Sequence, residues 1–195
     1  MLHLIKGTAD ARHQELLERH YRLRHDIFVR ERGWTDLCRP DGREIDDYDT
    51  PDTVYLLATH RNEVVGGYRF IPTNRPHLLL DHFSHLVESS VPCGRGIWEW
   101  SRFFVKREYR GGPLFRELID AVAPTCRSLG INTLTCVIEP DWIGRFEAAG
   151  FSYRTLGPFV EVGRMSLTAA ELKMDQDSTR ILAHGTREME PNRDC

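Results

Sequence analysis

The chain has 195 residues, 29 acidic and 26 basic side chains, and a formal net charge of −3. This length suits a single α/β domain with a sizeable core, and the charge disfavours strong non-specific binding to nucleic acid. The apolar runs are too short to span a bilayer, and the N-terminus lacks the pattern of a secretory signal. We therefore expect a cytoplasmic protein with no nucleic-acid or membrane partner. Nothing in the sequence assigns an oligomeric state.

No metal site is expected. The cysteines are odd in number and form no C-x-x-C motif, which is typical of free thiols in a reducing cytosol. The acidic run Glu44–Asp49 lacks the glycine and the terminal glutamate of a calcium-binding loop, and the nine histidines show no ligand spacing. The five cysteines are Cys38, Cys93, Cys126, Cys136 and Cys195.

The first predicted element is a helix over Thr8–Val29. Leu17, Tyr21, Arg24 and Phe28 recur at helical spacing and mark one face of it. Arg24 thus takes an apolar position, and a buried guanidinium needs a carboxylate or an anionic ligand. An internal ion pair that only fastens the helix and a functional site are both open interpretations. The nearest acids are Glu44, Asp46, Asp47 and Asp49.

A β-hairpin follows, with strands over Val54–Thr59 and Val64–Ile71. Arg69 points to the side of the second strand where apolar residues alternate. The pair Gly66 and Gly67 often marks a bulge or the close approach of a ligand or backbone. Arg69 therefore lies either in a pocket or at a sheet edge.

Ile97–Val105 is the strongest strand candidate, because it is dense in aromatic and β-branched residues. Glu99 and Arg102 lie among these large apolar side chains, where ionised groups are usually paired. In a regular strand the two point to opposite faces, so only a bulge would let them pair with each other. Glu99 is a candidate base with a raised pKa, or a structural acceptor for Arg24 or Arg69.

The rest of the chain predicts further helices and strands. Basic residues flank the helix start in Lys106–Phe115, which is a weak anion-site signal, because such residues are usually just solvated. Hairpins followed by strand–helix–strand units predict an α/β fold with a mixed, largely antiparallel sheet flanked by helices. We assign one domain, 1–180, and a polar tail, 181–195. The remaining elements are a short helix in Leu79–Glu88, a helix from Pro113 to Gly130, a strand Ile131–Ile138, a helix Pro140–Gly150, strands Phe151–Leu156 and Phe159–Leu167, and a last helix opened by a Thr168/Glu171 capping box.

Together these residues resemble the acyl-homoserine-lactone synthases, the LuxI-type autoinducer synthase family. The likeness runs from about Met1 to Leu167. The stretch R-H-D-I-F-V-R-E-R-G-W-x-x-L-x-R-P-D-G-R-E-I-D looks closest to a branch that accepts aryl or branched acyl-CoA donors rather than acyl carrier protein. The residues that carry the likeness are Arg24, Phe28 and Trp34, then Glu44, Asp46 and Asp49, then Arg69, and finally W-E-W-S-R-F with Glu99 and Arg102.

The resemblance implies a fold similar to the general N-acetyltransferase superfamily and a two-step reaction. The α-amino group of S-adenosylmethionine attacks an acyl thioester, either acyl-CoA or acyl carrier protein. The carboxylate of the product then closes the lactone and expels methylthioadenosine. No cofactor beyond these co-substrates is implied. Ile138 and Glu139 stand where many relatives carry threonine or serine near the acyl group, which argues against a 3-oxo acyl preference.

The resemblance also implies roles for single residues. Glu99 is the implied base, within a charged network. Ile138 and Trp142 are acyl-pocket candidates, although such residues are more often plain core. The implied network is Arg24, Asp46, Asp49, Arg69 and Arg102. The implied substrate-binding residues are Phe28, Trp34, Phe83, Ser101 and Phe103. The candidates for contact with the donor phosphate or with a carrier protein are Lys106, Arg107 and Arg110.

Two other functions fit a chain of this kind. One is an ordinary N-acetyltransferase of the same fold, with acetyl-CoA and a small amine. The imperfect glycine motif at Arg107–Gly112 speaks against it. The other is a non-catalytic sensor, in which the same charges bind a small molecule without turnover.

Overall fold

The computed structural model describes residues 1–8 and 11–174. They form an eight-stranded sheet in the order β1-β2-β3-β4-β5-β8-β6, with β7 paired to β8. β4 and β5 are parallel, and the other neighbouring strands are antiparallel. The predicted mixed, largely antiparallel sheet is confirmed. The strands are β1 Leu2–Lys6, β2 Val54–His60, β3 Glu63–Pro72, β4 Ile97–Val105, β5 Thr133–Ile138, β6 Ser152–Thr155, β7 Val160–Val162 and β8 Met165–Lys173.

Helices cover both faces of the sheet. The main core lies where buried residues of α3, α4 and α5 pack on one face. Leu17 and Tyr21 of α1 pack on the other face, against Tyr55 and Leu57 of β2. None of the described helices is long and apolar enough to cross a membrane. The helices are α1 Gln14–Arg24, α2 Leu78–Asp81, α3 Leu114–Asp120, α4 Val122–Leu129 and α5 Asp141–Ala148, with a π-helix over His25–Glu31 directly after α1.

The parallel pairing of β4 and β5 is short. It joins three residue pairs and ends where Glu99 lies opposite Thr135. Both strands continue past this point, β4 against β3 and β5 against β8. A gap between two adjacent strands therefore opens directly after Glu99.

Two local predictions were wrong. The capping box at Thr168 and Glu171 does not open a helix, because both residues lie in β8, which pairs with β5 and β6. This long-range pairing outweighs the local signal. The first helix begins at Gln14 rather than Thr8, and β1 was not predicted. The tail 181–195 lies outside the described residues.

Other predicted elements are present with different bounds. The helix predicted from Pro113 to Gly130 divides into α3 and α4 around Ala121. The strand predicted over Phe159–Leu167 is the β7–β8 hairpin. The short helix of Leu79–Glu88 is α2 followed by a single 3₁₀ turn over Ser84–Leu86.

Candidate active site

Arg24 is fully buried at the end of α1 and has the acidic partners expected of it. Its Nε donates to Glu44, and its Nη1 donates to Asp49 Oδ1 at 2.7 Å. His20, one turn earlier, places Nε2 3.5 Å from Nη1. Burial, and then the charge of Arg24, hold the pKa of His20 well below its usual range, so the ring is neutral. Arg24 Nη2 has no hydrogen-bond partner among the described residues.

The chain after Arg24 is a π-helix, where a regular α-helix was predicted. π-Helical turns are rare and frequently mark functional sites. Trp34, just beyond the π-helix, donates its backbone N–H to the Phe28 carbonyl at 2.9 Å. The rings of Phe28 and Trp34 stack, with centroids 5.1 Å apart. The wider helix and the following turn thus build an aromatic wall from Phe28 and Trp34.

Arg69 lies in the centre of the sheet, because β3 is flanked by β2 and β4. The sheet-edge interpretation is therefore wrong. Its two Nη atoms each lie 2.6 Å from an oxygen of Asp46, and its Nε donates to Ser101 Oγ at 2.9 Å. Gly67 allows β2 to approach this strand, since a Cβ there would lie 2.5 Å from the Leu56 carbonyl oxygen. The close contact at Gly67 is therefore with backbone.

A bulge turns Arg102 toward the same network. Its φ is +52°, and the pairing of β3 with β4 shifts register opposite it. Its guanidinium donates to Glu44 and Asp46, with Nη2 3.0 Å from an oxygen of each. Its Cζ also lies 5.5 Å from the centre of the Phe28 ring and 5.9 Å from that of Trp34. The bulge therefore brings Arg102 to other acids rather than into a pair with Glu99.

The network is balanced in charge. It contains three guanidinium groups and three carboxylates, and each carboxylate forms an ion pair with at least one guanidinium. Its arginines hold the pKa of Glu44 down to about 2 and that of Asp49 well below its usual range, against the effect of burial. The members are Arg24, Arg69 and Arg102 with Glu44, Asp46 and Asp49.

Glu99 is not a member of this ion-pair network. It is 2% exposed, and its Oε2 accepts the backbone N–H of Leu79 at 2.9 Å. It has no ion pair among the described residues. Burial raises its pKa to about 7, although the Leu79 N–H and the charges of Arg69 and Arg102 oppose the rise. A carboxyl with such a pKa can take up or release a proton near neutral pH.

The aromatic candidates divide between the two faces of the sheet. Phe83 follows Leu79 by one turn and packs in the apolar cluster under α2. The Phe103 and Trp142 rings lie 5.2 Å apart on the other face, in contact with Trp100. Ile138 is buried in the main core on that same face. The structure thus separates Trp142 and Ile138 from the charged network by the thickness of the sheet.

The basic residues after β4 do not form a free positive surface. Lys106 pairs with Glu63 at 3.0 Å, and Arg110 pairs with Glu31 at 2.7 Å. Arg107 is exposed. The described residues also contain no group of three or more histidine, cysteine or acidic side chains that could hold a metal ion.

Sequence reasoning missed three polar residues at this site. Tyr55 donates its hydroxyl to Asp49 Oδ1 at 2.8 Å, and His20 contacts Arg24 as described. Tyr55 lies in an apolar strand where a tyrosine is unremarkable, and His20 lies beside the apolar stripe of α1. Thr135, opposite Glu99, is fully buried. Only the three-dimensional pairing of β4 with β5 singles it out.

A buried carboxyl with a raised pKa lies next to a charged network, where the pairing of two parallel strands ends. An acyl-CoA N-acyltransferase from Pseudomonas aeruginosa shares the fold, with a TM-score of 0.61 at 17% identity over 88% of this chain and 98% of that one. The autoinducer synthase model matches residues 8–182, so the chain belongs to that family and is an acyl-homoserine-lactone synthase. The family resemblance predicted from the sequence is confirmed.

Two other proteins are more similar to this chain in sequence than that N-acyltransferase. The isovaleryl-homoserine lactone synthase of Bradyrhizobium diazoefficiens is 46% identical over 158 residues, which cover 80% of this chain and 72% of that protein. A solved structure of BjaI, a CoA-dependent acyl-homoserine lactone synthase with SAM and isopentyl-CoA, has a TM-score of 0.88. It is 42% identical, over 93% of this chain and 86% of that chain.

Proposed function

We propose that this chain transfers a short branched acyl group from CoA to the α-amino group of S-adenosylmethionine, with Glu99 as the base. The product then cyclises to the homoserine lactone and releases methylthioadenosine. The observation that carries the proposal is the buried Glu99, which has no ion pair within the described part of the chain and lies beside a balanced charge network. The names of the two close relatives, one an isovaleryl-homoserine lactone synthase and one crystallised with isopentyl-CoA, support the choice of acyl group.

The proton balance of the first step suits Glu99. An α-amino group has a pKa of roughly 7.7–8.0 in model compounds. Because the pKa of Glu99 is about 7, the proton can pass from the ammonium to the carboxylate at little free-energy cost. The amine then attacks the thioester carbonyl, a C–N bond forms and the C–S bond breaks. The new amide nitrogen gives its second proton to the departing sulfur, so CoA leaves as its thiol.

Arg102 and Asp46 are the network members that face the substrate in this proposal. Their side chains are 9% and 15% exposed, whereas those of Arg24, Arg69 and Asp49 are fully buried. The guanidinium of Arg102 would hold the substrate carboxylate, and Asp46 would hold the α-ammonium group. The buried members keep these two side chains in place.

The aromatic wall of Phe28 and Trp34 is assigned to the adenine ring. Arg102 already lies over both rings, so a sulfonium placed there would meet a like charge. Adenine is neutral and flat, and it can stack on an aromatic ring without meeting a like charge. Leaving the sulfonium without a carboxylate partner also favours lactonisation, because that step removes its positive charge.

A CoA donor fits this surface better than a carrier protein. An acidic carrier protein docks on a basic patch. Here Glu63 and Glu31 neutralise Lys106 and Arg110.

The gap between β4 and β5, with Phe103 and Trp142 beside it, is assigned to the acyl thioester. Free thiols at Cys38 and Cys93 suit the reducing cytoplasm, where we place the reaction.

The test is a comparison of donors. Purified protein is incubated with S-adenosylmethionine and the isovaleryl group on CoA or on acyl carrier protein, beside straight-chain acyl-CoAs. Acyl-homoserine lactone and methylthioadenosine are measured by mass spectrometry. We expect both products in equal amounts, with the highest kcat/KM for isovaleryl-CoA. The absence of both across the panel would contradict the proposal, and acetyl transfer to simple amines without S-adenosylmethionine would support the N-acetyltransferase alternative.

A further inference from the structure

Thr135 is a buried polar residue without a visible function. It is fully buried in β5, and its Oγ1 has no hydrogen-bond partner among the described residues. A buried hydroxyl that lacks a partner costs stability and calls for an explanation. The hydroxyl is a donor that can rotate to suit an acceptor.

The residue opposite Thr135 on β4 is Glu99, whose carboxylate can accept a hydrogen bond. The two residues are directly opposite each other in the last pair of the β4–β5 ladder. Neighbouring strands lie about 4.8 Å apart, and opposed side chains leave the sheet on the same face. Glu99 Oε2 accepts the Leu79 N–H, whereas Oε1 accepts no hydrogen bond from the described residues. An unused donor therefore stands beside an unused acceptor.

The other neighbour of Thr135 does not compete. Glu171 of β8 lies opposite Thr135 on its second side. Its carboxylate is already taken by Arg154, at 2.7 Å, and by Lys173. Of the two carboxylates opposite Thr135 on the neighbouring strands, that of Glu99 is the one without an ion pair among the described residues.

We propose that the Thr135 hydroxyl donates a hydrogen bond to Glu99 when that carboxyl is ionised, which makes Thr135 a positioning residue for proton transfer. The proposal rests on the proposed function, in which Glu99 accepts the proton of the amine. A hydrogen bond to an ionised carboxylate is stronger than one to the neutral acid. The hydrogen bond is thus weak while Glu99 is protonated and becomes stronger when Glu99 loses its proton.

Such a bond lowers the pKa of Glu99, because it stabilises the charged form. Removing the hydroxyl therefore raises that pKa. The other charged and titratable groups around Glu99 and Thr135 are Arg69 on β3, Arg102 on β4, Asp46 and Tyr48 in the loop before β2, Cys136 on β5 and Glu171 on β8. These groups are unchanged in the variants below, so a change in the titration of Glu99 can be attributed to the loss of the Thr135 hydroxyl.

The test uses Thr135→Val, which removes the hydroxyl at nearly constant shape, and Thr135→Ser, which keeps it. Thr133→Val is the matched control, since Thr133 lies two residues earlier on the same strand, is buried, and accepts a hydrogen bond from Lys173 at 3.4 Å. The titration of Glu99 is followed by NMR in protein with ¹³C-labelled glutamate, assigned with Glu99→Gln. The pH profile of kcat/KM is measured for the same variants.

We expect Thr135→Val to raise the pKa of Glu99 by about half to one unit. The acid limb of the kcat/KM profile should shift to higher pH by the same amount. Thr135→Ser and Thr133→Val should leave both unchanged. A lower melting temperature with an unchanged titration would mean a purely structural role and would overturn the inference. Thr135→Ala provides the same test if the valine variant does not fold.

The two proposals fail separately. If the wild type makes lactone and Thr135→Val titrates like it, the inference is wrong and the proposed function stands. If the wild type makes no lactone, the proposed function fails, while the NMR titration of the full chain still decides whether Thr135 bonds to ionised Glu99.

Discussion

Arg69 and Asp46 are 23 positions apart in the chain, yet they form a two-point ion pair with both N–O distances at 2.6 Å. This pair ties the loop before β2 to the middle of the sheet. Arg24 and Arg102 tie the same loop down through Glu44. These pairs satisfy one another, whereas the buried Glu99 has no ion pair among the described residues.

The buried ion pairs of Arg24 predict that removing this side chain destabilises the fold. Arg24→Ala leaves Glu44 and Asp49 buried with one cation fewer, so it should lower the free energy of unfolding by about 3–5 kcal/mol. Arg22→Ala is the matched control, because Arg22 is exposed and forms a surface ion pair with Glu18 one turn earlier. It should cost about 0.3–0.5 kcal/mol. Urea unfolding measures both, and equal stabilities would contradict the burial argument.

Acid should weaken the network through Glu44. Its pKa is lowered from 4.5 to about 2, so its contribution is complete above pH 4.5 and is lost as the pH falls toward 2. Urea unfolding between pH 2 and 4.5 measures the loss, which is of the order of 3 kcal/mol. A stability that stays constant over this range would contradict the assignment.

Ionisation of Glu99 should change the stability of the fold in the opposite direction. Its pKa is raised from 4.5 to about 7, so the folded state binds the extra proton between these values. Stability should therefore decrease as the pH rises from 4.5 to 7. Glu99→Gln should remove this decrease, whereas Glu161→Gln, at an exposed position, should keep it. If the wild type and Glu99→Gln had parallel stability profiles, Glu99 would not have a raised pKa.

The close approach of β2 to β3 predicts the effect of a single methyl group. Gly67→Ala places a Cβ 2.5 Å from the Leu56 carbonyl oxygen and 2.8 Å from Leu57 Cδ2, so it should destabilise the fold by about 1–3 kcal/mol. Gly144→Ala in α5 is the control, since no atom lies within 4 Å of its Cβ. It should raise stability by up to about 1 kcal/mol. Thermal unfolding compares them, and a fully stable Gly67→Ala would contradict the strand spacing.

Patterns within one element predicted much of this molecule. The apolar stripe of α1 marked Arg24 as buried, and the aromatic strand around Glu99 marked its carboxyl as unusual. Features set by distant pairing were not predictable. The bulge at Arg102 depends on β3, and the strand at Thr168 depends on β5 and β6. The π-helix after Arg24 has no sequence signature, because its residues fit an ordinary helix equally well.

The role of Glu99 is tested most directly by Glu99→Gln, with kcat and the dissociation constant for S-adenosylmethionine measured on the same preparation. We predict that kcat falls by about 100-fold or more. We predict unchanged binding of S-adenosylmethionine and full activity in the control Glu161→Gln. Wild-type kcat/KM should rise with pH through about 7. Equal losses of turnover and binding, or a variant with wild-type turnover, would contradict the assignment of Glu99 as the base.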